Sequence, residues 1–275
     1  MRSFAYLFIA AAYGDVFMDG QHAALGSDAH AKVTEVPEVS TFAKNVAALL
    51  ERTEYRRCDK GDDLEDIYRL RYKSYRMTDM VSDIPQQMIH DELDEAPNCY
   101  KFGIYIDGAL VSTLRIHHAR WNSPQSPSTT VYGDILRPMM AAGSSFIDPS
   151  RFAADPEWSR IFPQIPYLTL RLAGMACFHF EAPYCLATIR EEHAGFYKRI
   201  YCSEQIGEKR QYPGLNYPVI LHRATVADIR ERSFTRYPFF KSTALEQRML
   251  FAKPRLGELA PLTVRPTAKY FSDAA

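Results

Sequence analysis

The sequence carries no surplus of charge of either sign: over 275 residues, 33 Lys and Arg stand against 33 Asp and Glu. That balance argues against general nucleic-acid binding, which shows as a basic excess matched to phosphates. Cysteine is scarce. Cys58, Cys99, Cys177, Cys185 and Cys202 make an odd count and contain no C-x-x-C pair. That pattern argues against a disulfide framework or a zinc ribbon and makes a reducing cytoplasm the expected compartment. The apolar run after Arg2, in "MRSFAYLFIAAAYGD", resembles a signal-peptide core. It lacks a clear small-x-small cleavage site and is too short to span a bilayer, and no other segment is a transmembrane candidate. G-x-S-x-G, Walker A, G-x-G-x-x-G and H-E-x-x-H are all missing, as are internal repeats and low-complexity tracts. His117 and His118 are neighbours in a β-rich run, so they point to opposite faces and do not grip one metal. They read as one core and one surface histidine, and no metal site is expected.

What is present suits one globular domain with extensions: 47% of residues are hydrophobic and 24% charged, enough for a sizeable core. Residues 1–53 read as an N-terminal extension with one helix over 40–52. There Phe42, Val46, Leu49 and Leu50 share a face behind a Ser40 or Thr41 cap. "EYRRCD" reads as a short strand. The acids of "DDLEDIYRLRYKSYR" sit where a helix N-terminus favours them, and Leu64, Ile67, Tyr68, Arg71 and Tyr75 line one face, which predicts a helix over 62–76. Asp107-Gly108 between two alternating runs predicts a hairpin over 101–119. "WNSPQSPSTTVYGD" reads as a polar loop, 144–155 as a strand interrupted at Asp148-Pro149, and 166–182 as a buried helix. Beyond it come a strand over 184–190, a helix from His193, a strand in "NYPVILHRATV" and a helix over 234–251. Residues 252–275 read as a tail. The order predicts an α/β or α+β fold around one mixed sheet.

Charged and aromatic residues around the hairpin recur in a particular order: Arg71 with Tyr75, Asp91 with Asp94, the hairpin, Arg115, and then Asp148 with Arg151 and Phe152. In "LRYKSY", "DELD", "DGALVSTLRI" and "DPSRFAADPEW" this order resembles the acyl-homoserine-lactone synthases and, more closely, the FeeM-type N-acyl amino acid synthases. Both belong to the GNAT-like acyltransferases. "IGEKRQYPGLNYPVIL" and "RYPFFKSTALEQRMLF" are similar to the FeeM-type ending, and the resemblance covers about residues 54–251. It implies a GNAT-like mixed central sheet with helices on both faces, splayed between the strands at 145–155 and 184–190. A bulge near Phe152 to Ala154 would turn a backbone N–H toward the reacting thioester.

The resemblance also implies the chemistry. A long-chain acyl group would pass from an acyl carrier protein thioester to an amino-acid amine. The phosphopantetheine arm of the carrier, or acyl-coenzyme A, would be a co-substrate, with no tightly bound cofactor. The two departures from the family pattern are Asp148 where Glu is common, and "EWSRIFPQIPYLTLRLAG" without a glycine-rich pyrophosphate loop. Asp148 is the expected base, and Arg151 is expected to orient it or bind the acceptor carboxylate. Glu191, Glu192 and His193 are alternative bases. Arg71, Tyr75, Asp91, Asp94, Arg115, Phe152 and Trp158 are the expected substrate-binding set, and apolar residues of 166–182 are candidate walls of an acyl tunnel. Arg160, Arg171, Lys198, Arg199, Lys209 and Arg210 are expected to dock the acidic carrier. A homoserine-lactone signal synthase and a non-catalytic GNAT-fold module that binds the carrier are the alternatives.

Overall fold

The structure, a computed structural model, describes residues 40–253 and 263–271. Expectations for residues 1–38, the signal-peptide reading among them, and for most of the tail lie outside the described residues. The elements are α1 (Thr41–Glu51), β1 (Thr53–Arg57), α2 (Asp62–Met77), β2 (Cys99–Ile106), β3 (Ala109–Ala119), α3 (Pro127–Val131), α4 (Gly133–Ala141) and β4 (Phe146–Ala154). They continue with α5 (Pro156–Ile161), α6 (Ile165–His179), β5 (Tyr184–Ile189), α7 (Ala194–Tyr201), β6 (Glu204–Gln211), β7 (Pro218–Thr225) and α8 (Ala244–Phe251). Seven strands form one sheet in the order β1-β2-β3-β4-β5-β7-β6. Every pair is antiparallel except β4 with β5.

Local chemistry explains most boundaries. Ser40 caps α1 by accepting from the Ala43 N–H, and Asp107 and Gly108 both take positive φ, as a tight hairpin requires. At α2 the cap is Gly61 (φ 74°), and Asp62 and Asp63 lie inside the first turn. The expected loop at 121–134 holds the start of two helices. Ser126 and Thr129 form a reciprocal capping box, Pro127 occupies the first turn, and α4 follows. The expected helix over 234–251 is broken at Pro238, and α8 starts only after the Thr243 cap.

The sheet separates two apolar layers. Phe102, Ile104, Leu114, Ile116 and Ile147 join α6 in the main core, to which α1 contributes Ala43, Val46, Leu49 and Leu50. Phe146 and Leu186, on the opposite face, pack with Tyr132, Leu136 and Met140 from around α4. Val264 pairs with Tyr55 and closes the edge beside β1. Among the described residues no helix is long and apolar enough to cross a membrane.

Two features of β4 open the sheet. It pairs with β5 only at Phe146–Tyr184 and Ile147–Cys185, after which the parallel strands part. The expected bulge is displaced toward the start of the strand. Thr113 pairs with Ala153 and Arg115 with Ser150, so Arg151 and Phe152 together oppose Leu114. Arg151 takes φ 52°, the left-handed region that a bulge residue adopts at some cost for a side chain with a Cβ.

Candidate active site

The parting strands enclose a cavity of about 230 Å³. It is largely apolar and reaches from Tyr75, Arg151 and Tyr212 through the splay to Phe234 and Phe240 behind the sheet. Leu170, Ala173 and Gly174 show that one face of α6 lines it, as the composition of 166–182 suggested. Tyr75, Asp148, Arg151 and Phe152 also line it.

Behind that lining lies a charged layer. The Arg71 Nη1 donates to Asp94 Oδ1 at 2.9 Å, and both side chains are buried. Arg115, fully buried on β3, reaches Asp91 at 2.5 Å and Asp94 at 3.1 Å, and its Nε donates to Ser150 Oγ at 3.0 Å. Arg151 Nη2 donates to the other oxygen of Asp91 at 2.5 Å. Asp91 and Asp94 are fixed in turn by a reciprocal capping box around the short turn Glu92–Glu95: Asp91 accepts from the Leu93 N–H and Asp94 from the Asp91 N–H. The helix α2, the turn and two strands thus bring together five residues spread over 81 positions of the chain, Arg71 to Arg151. Burial opposes ionisation of Asp91, but Arg115 and Arg151 outweigh it and hold the carboxyl below its ordinary range. Asp94 is held down in the same way by Arg71 and Arg115. Three guanidinium groups share two carboxylates, and Asp148 lies within electrostatic reach of Arg115. Nitrogens of Arg71, Arg115 and Arg151 also remain without protein partners.

Asp148 sits differently. It is fully buried, and it does not meet Arg151, whose partner is Asp91. Its Oδ2 accepts from the Ser128 backbone N–H at 2.8 Å, and its Oδ1 accepts from the Ser128 hydroxyl at 2.7 Å. Burial raises its pKa, against the pull of hydrogen bonds from the first turn of α3 and of Arg115. The Ser128 Oγ lies 2.6 Å from Thr188 Oγ1 on β5.

Other expected positions separate. Trp158 does not line the cavity. Asp155 caps α5 through the Glu157 and Trp158 N–H groups and turns the chain away, so Trp158 stacks on Phe162 against the core. Of the three alternative bases, His193 lines the cavity, and burial lowers its pKa. Glu191 and Glu192 are exposed and pair with Lys209 and Arg190. The expected docking role of Arg171 fails: it is fully buried and forms a bidentate pair with Glu246, because α6 is covered on all sides. Arg210 is held by Asp134 at 2.5 and 2.8 Å and by the Val131 carbonyl, which pins β6 to the α3–α4 layer. Lys198 and Arg160 are exposed, Lys209 is exposed but paired, and Arg199 is partly buried. Of the two histidines expected as one core and one surface residue, His117 is fully buried, and His118 is half-buried and stacks on Phe180, where desolvation brings its pKa down to about 4. Ser128 and Thr188 were not singled out in the sequence. The capping box around Ser126 and the one polar residue among the apolar positions of "YCLATI" are the signals that mark them.

The sheet is splayed between two parallel strands, and an apolar cavity enters it beside buried charges, which is the arrangement expected of a GNAT-like acyltransferase. Residues 66–225 match the profile of the N-acyl amino acid synthase FeeM family, and the chain belongs to that family. Its structure is similar to that of FeeM, an N-acyl amino acid synthase from uncultured soil microbes, with 18% identity and a TM-score of 0.56 over 66% of this chain and 96% of that one. It also matches the acyl-homoserine-lactone synthase LasI (15% identity, TM-score 0.46, covering 63% and 89% of the two chains). A third match is BjaI, a coenzyme A-dependent acyl-homoserine-lactone synthase, with S-adenosylmethionine and isopentyl-coenzyme A (13%, 0.44, 63% and 78%). No curated protein matches the chain.

Proposed function

We propose that this acyltransferase moves a long-chain acyl group from an acyl carrier protein thioester to the amine of an amino acid. One observation supports the reading: the apolar cavity passes through the β4–β5 splay and meets, on the other face, a cluster in which three guanidinium groups share two carboxylates. An acyl chain in the cavity is stabilised by about 0.8 kcal/mol per buried methylene, so each added methylene that still fits favours binding about fourfold. The amino acid's carboxylate complements the guanidinium groups, with Arg151 as the contact because it belongs to the cluster and also lines the cavity. The phosphopantetheine arm then pairs with the free edges of β4 and β5, and its thioester lies where the two faces communicate. Asp148 takes the proton that the amine must lose. Arg71, Asp91, Asp94 and Arg115 hold Arg151 and the α2 side of the acceptor site in place.

The test is a product screen. The purified chain is incubated with acyl carrier proteins bearing different acyl chains, mixed amino acids and S-adenosylmethionine, and the products are read by mass spectrometry. An N-acyl amino acid is expected. A lactone would replace this reading with a signal synthase. No product, with the carrier still bound, would replace it with a binding module.

A further inference from the structure

We propose that Thr188, acting through Ser128, is the proton path between the acceptor amine and Asp148, an inference that rests on the acyl-transfer reading above. Asp148 is 0% exposed, and Ser128 engages both of its oxygens. Although Asp148 lies along the cavity wall, both of its carboxylate oxygens are already taken by Ser128, which favours a hydroxyl relay over direct contact with a substrate amine. The route out is Ser128 Oγ, 2.7 Å from Asp148, and then Thr188 Oγ1, 2.6 Å further on. Thr188 is partly accessible and lines the cavity at the splay, whereas Ser128 is fully buried.

Each hydroxyl has one proton, and this fixes the direction of the chain. An ionised Asp148 only accepts, so the Ser128 proton points to it. Thr188 must then donate to Ser128, which leaves the lone pairs of Thr188 Oγ1 free to accept an N–H from the cavity. As the C–N bond forms and the C–S bond breaks, the nitrogen passes a proton to Thr188. Thr188 passes its own to Ser128, and Ser128 passes its own to Asp148. The departing sulfur takes up one proton when Asp148 returns to the carboxylate, so the amide and the free thiol form with no net change in charge. The two bonds of the Ser128 hydroxyl, to Asp148 and to Thr188, bridge β4 and β5 beyond their last paired residues, so they also hold the splay at a fixed width.

Thr188→Val keeps the shape and removes the hydroxyl, and Thr188→Ser restores it. With wild-type protein forming N-acyl product, Thr188→Val should lower kcat by about 10²-fold, as loss of general-base assistance does, while KM for donor and acceptor stays within about threefold. Thr188→Ser should recover kcat to within about threefold. Ser128→Ala should match the Val variant, and the double variant should be no worse than either single, because one broken link stops the path. Far-ultraviolet circular dichroism and thermal melts report folding for each variant, and Thr188→Ser supplies the reading if the Val variant does not fold. An unchanged kcat in folded Thr188→Val, or a Ser variant as impaired as Val, overturns the path while acyl transfer stands. Wild-type protein that makes no N-acyl product with any donor overturns the acyl-transfer reading, and the path with it.

Discussion

Glu246→Gln should cost the protein about 3 kcal/mol of stability, the low end of about 3–5 kcal/mol for removing one partner of a buried ion pair. The structure supplies the reason. Arg171 and Glu246 are both fully buried, one on α6 and the other on α8. Arg171 also donates to the Phe239 carbonyl at 2.9 Å and to that of Lys241 at 2.6 Å, and Glu246 accepts from the Thr267 hydroxyl at 2.6 Å and its N–H at 3.0 Å. Gln keeps the volume and one acceptor oxygen, so the loss isolates the charge: a guanidinium remains in the core without its anion. For domains of this size each kcal/mol moves Tm by about 2–4 °C, so Tm should fall by about 6–12 °C. Thermal and urea unfolding measure this, and acyl transfer well below Tm should change little because neither residue lines the cavity. Arg171→Met with Glu246→Met should lose less than Glu246→Gln alone, since no uncompensated charge is left. A Glu246→Gln variant within about 1 kcal/mol of wild type would refute the argument.

Three further outcomes are expected. The ordinary carboxyl value is 3.8 and Asp91 and Asp94 lie below it, so their stabilisation is intact above about pH 4 and drains as pH falls further. Asp91→Asn should therefore flatten the acid limb of urea-unfolding stability. Lys198→Glu should raise KM severalfold for a carrier-bound donor and leave a pantetheine thioester unaffected, because an exposed charge acts through steering, and stopped-flow binding at two ionic strengths checks it. Gly207→Ala should cost about 1–3 kcal/mol in urea unfolding: its Cβ would lie 2.8 Å from Leu221 Cβ and from Tyr132 Cε1, and Tyr132 is anchored by hydrogen bonds to the Glu208 and Val219 carbonyls.

What was legible in the sequence depended on whether the cause was local. The Asp107-Gly108 hairpin and α2 followed from turn chemistry and from a repeat of 3.6 residues, both carried by neighbours in the chain. The order of Arg71, Asp91, Asp94, Arg115 and Arg151 located the charged cluster, but spacing has no information on pairing. Spacing alone matches Arg151 to Asp148 three positions away, whereas its partner is Asp91, 60 positions away. The bulge explains the difference. The left-handed turn at Arg151 breaks strand alternation, so its side chain is redirected to the α2 side while Asp148 stays buried beneath α3. Arg171 misled for a related reason. One arginine in an apolar helix reads as an exposed head group on a snorkelling stem, unless the partner that buries it is known. That partner, Glu246, lies 75 residues on, in a segment where Pro238 hid the true start of the helix. The same pattern points to where function resides in this chain. A polar residue inside an apolar element survives burial only with a partner, and Arg171, Asp148 and Thr188 are three such residues. For Arg171 the partners are complete and the role is structural. For Thr188 the hydroxyl bond leads inward to Ser128 while the residue itself lines a cavity reached from both sides of the sheet, where a substrate amine would complete its partners.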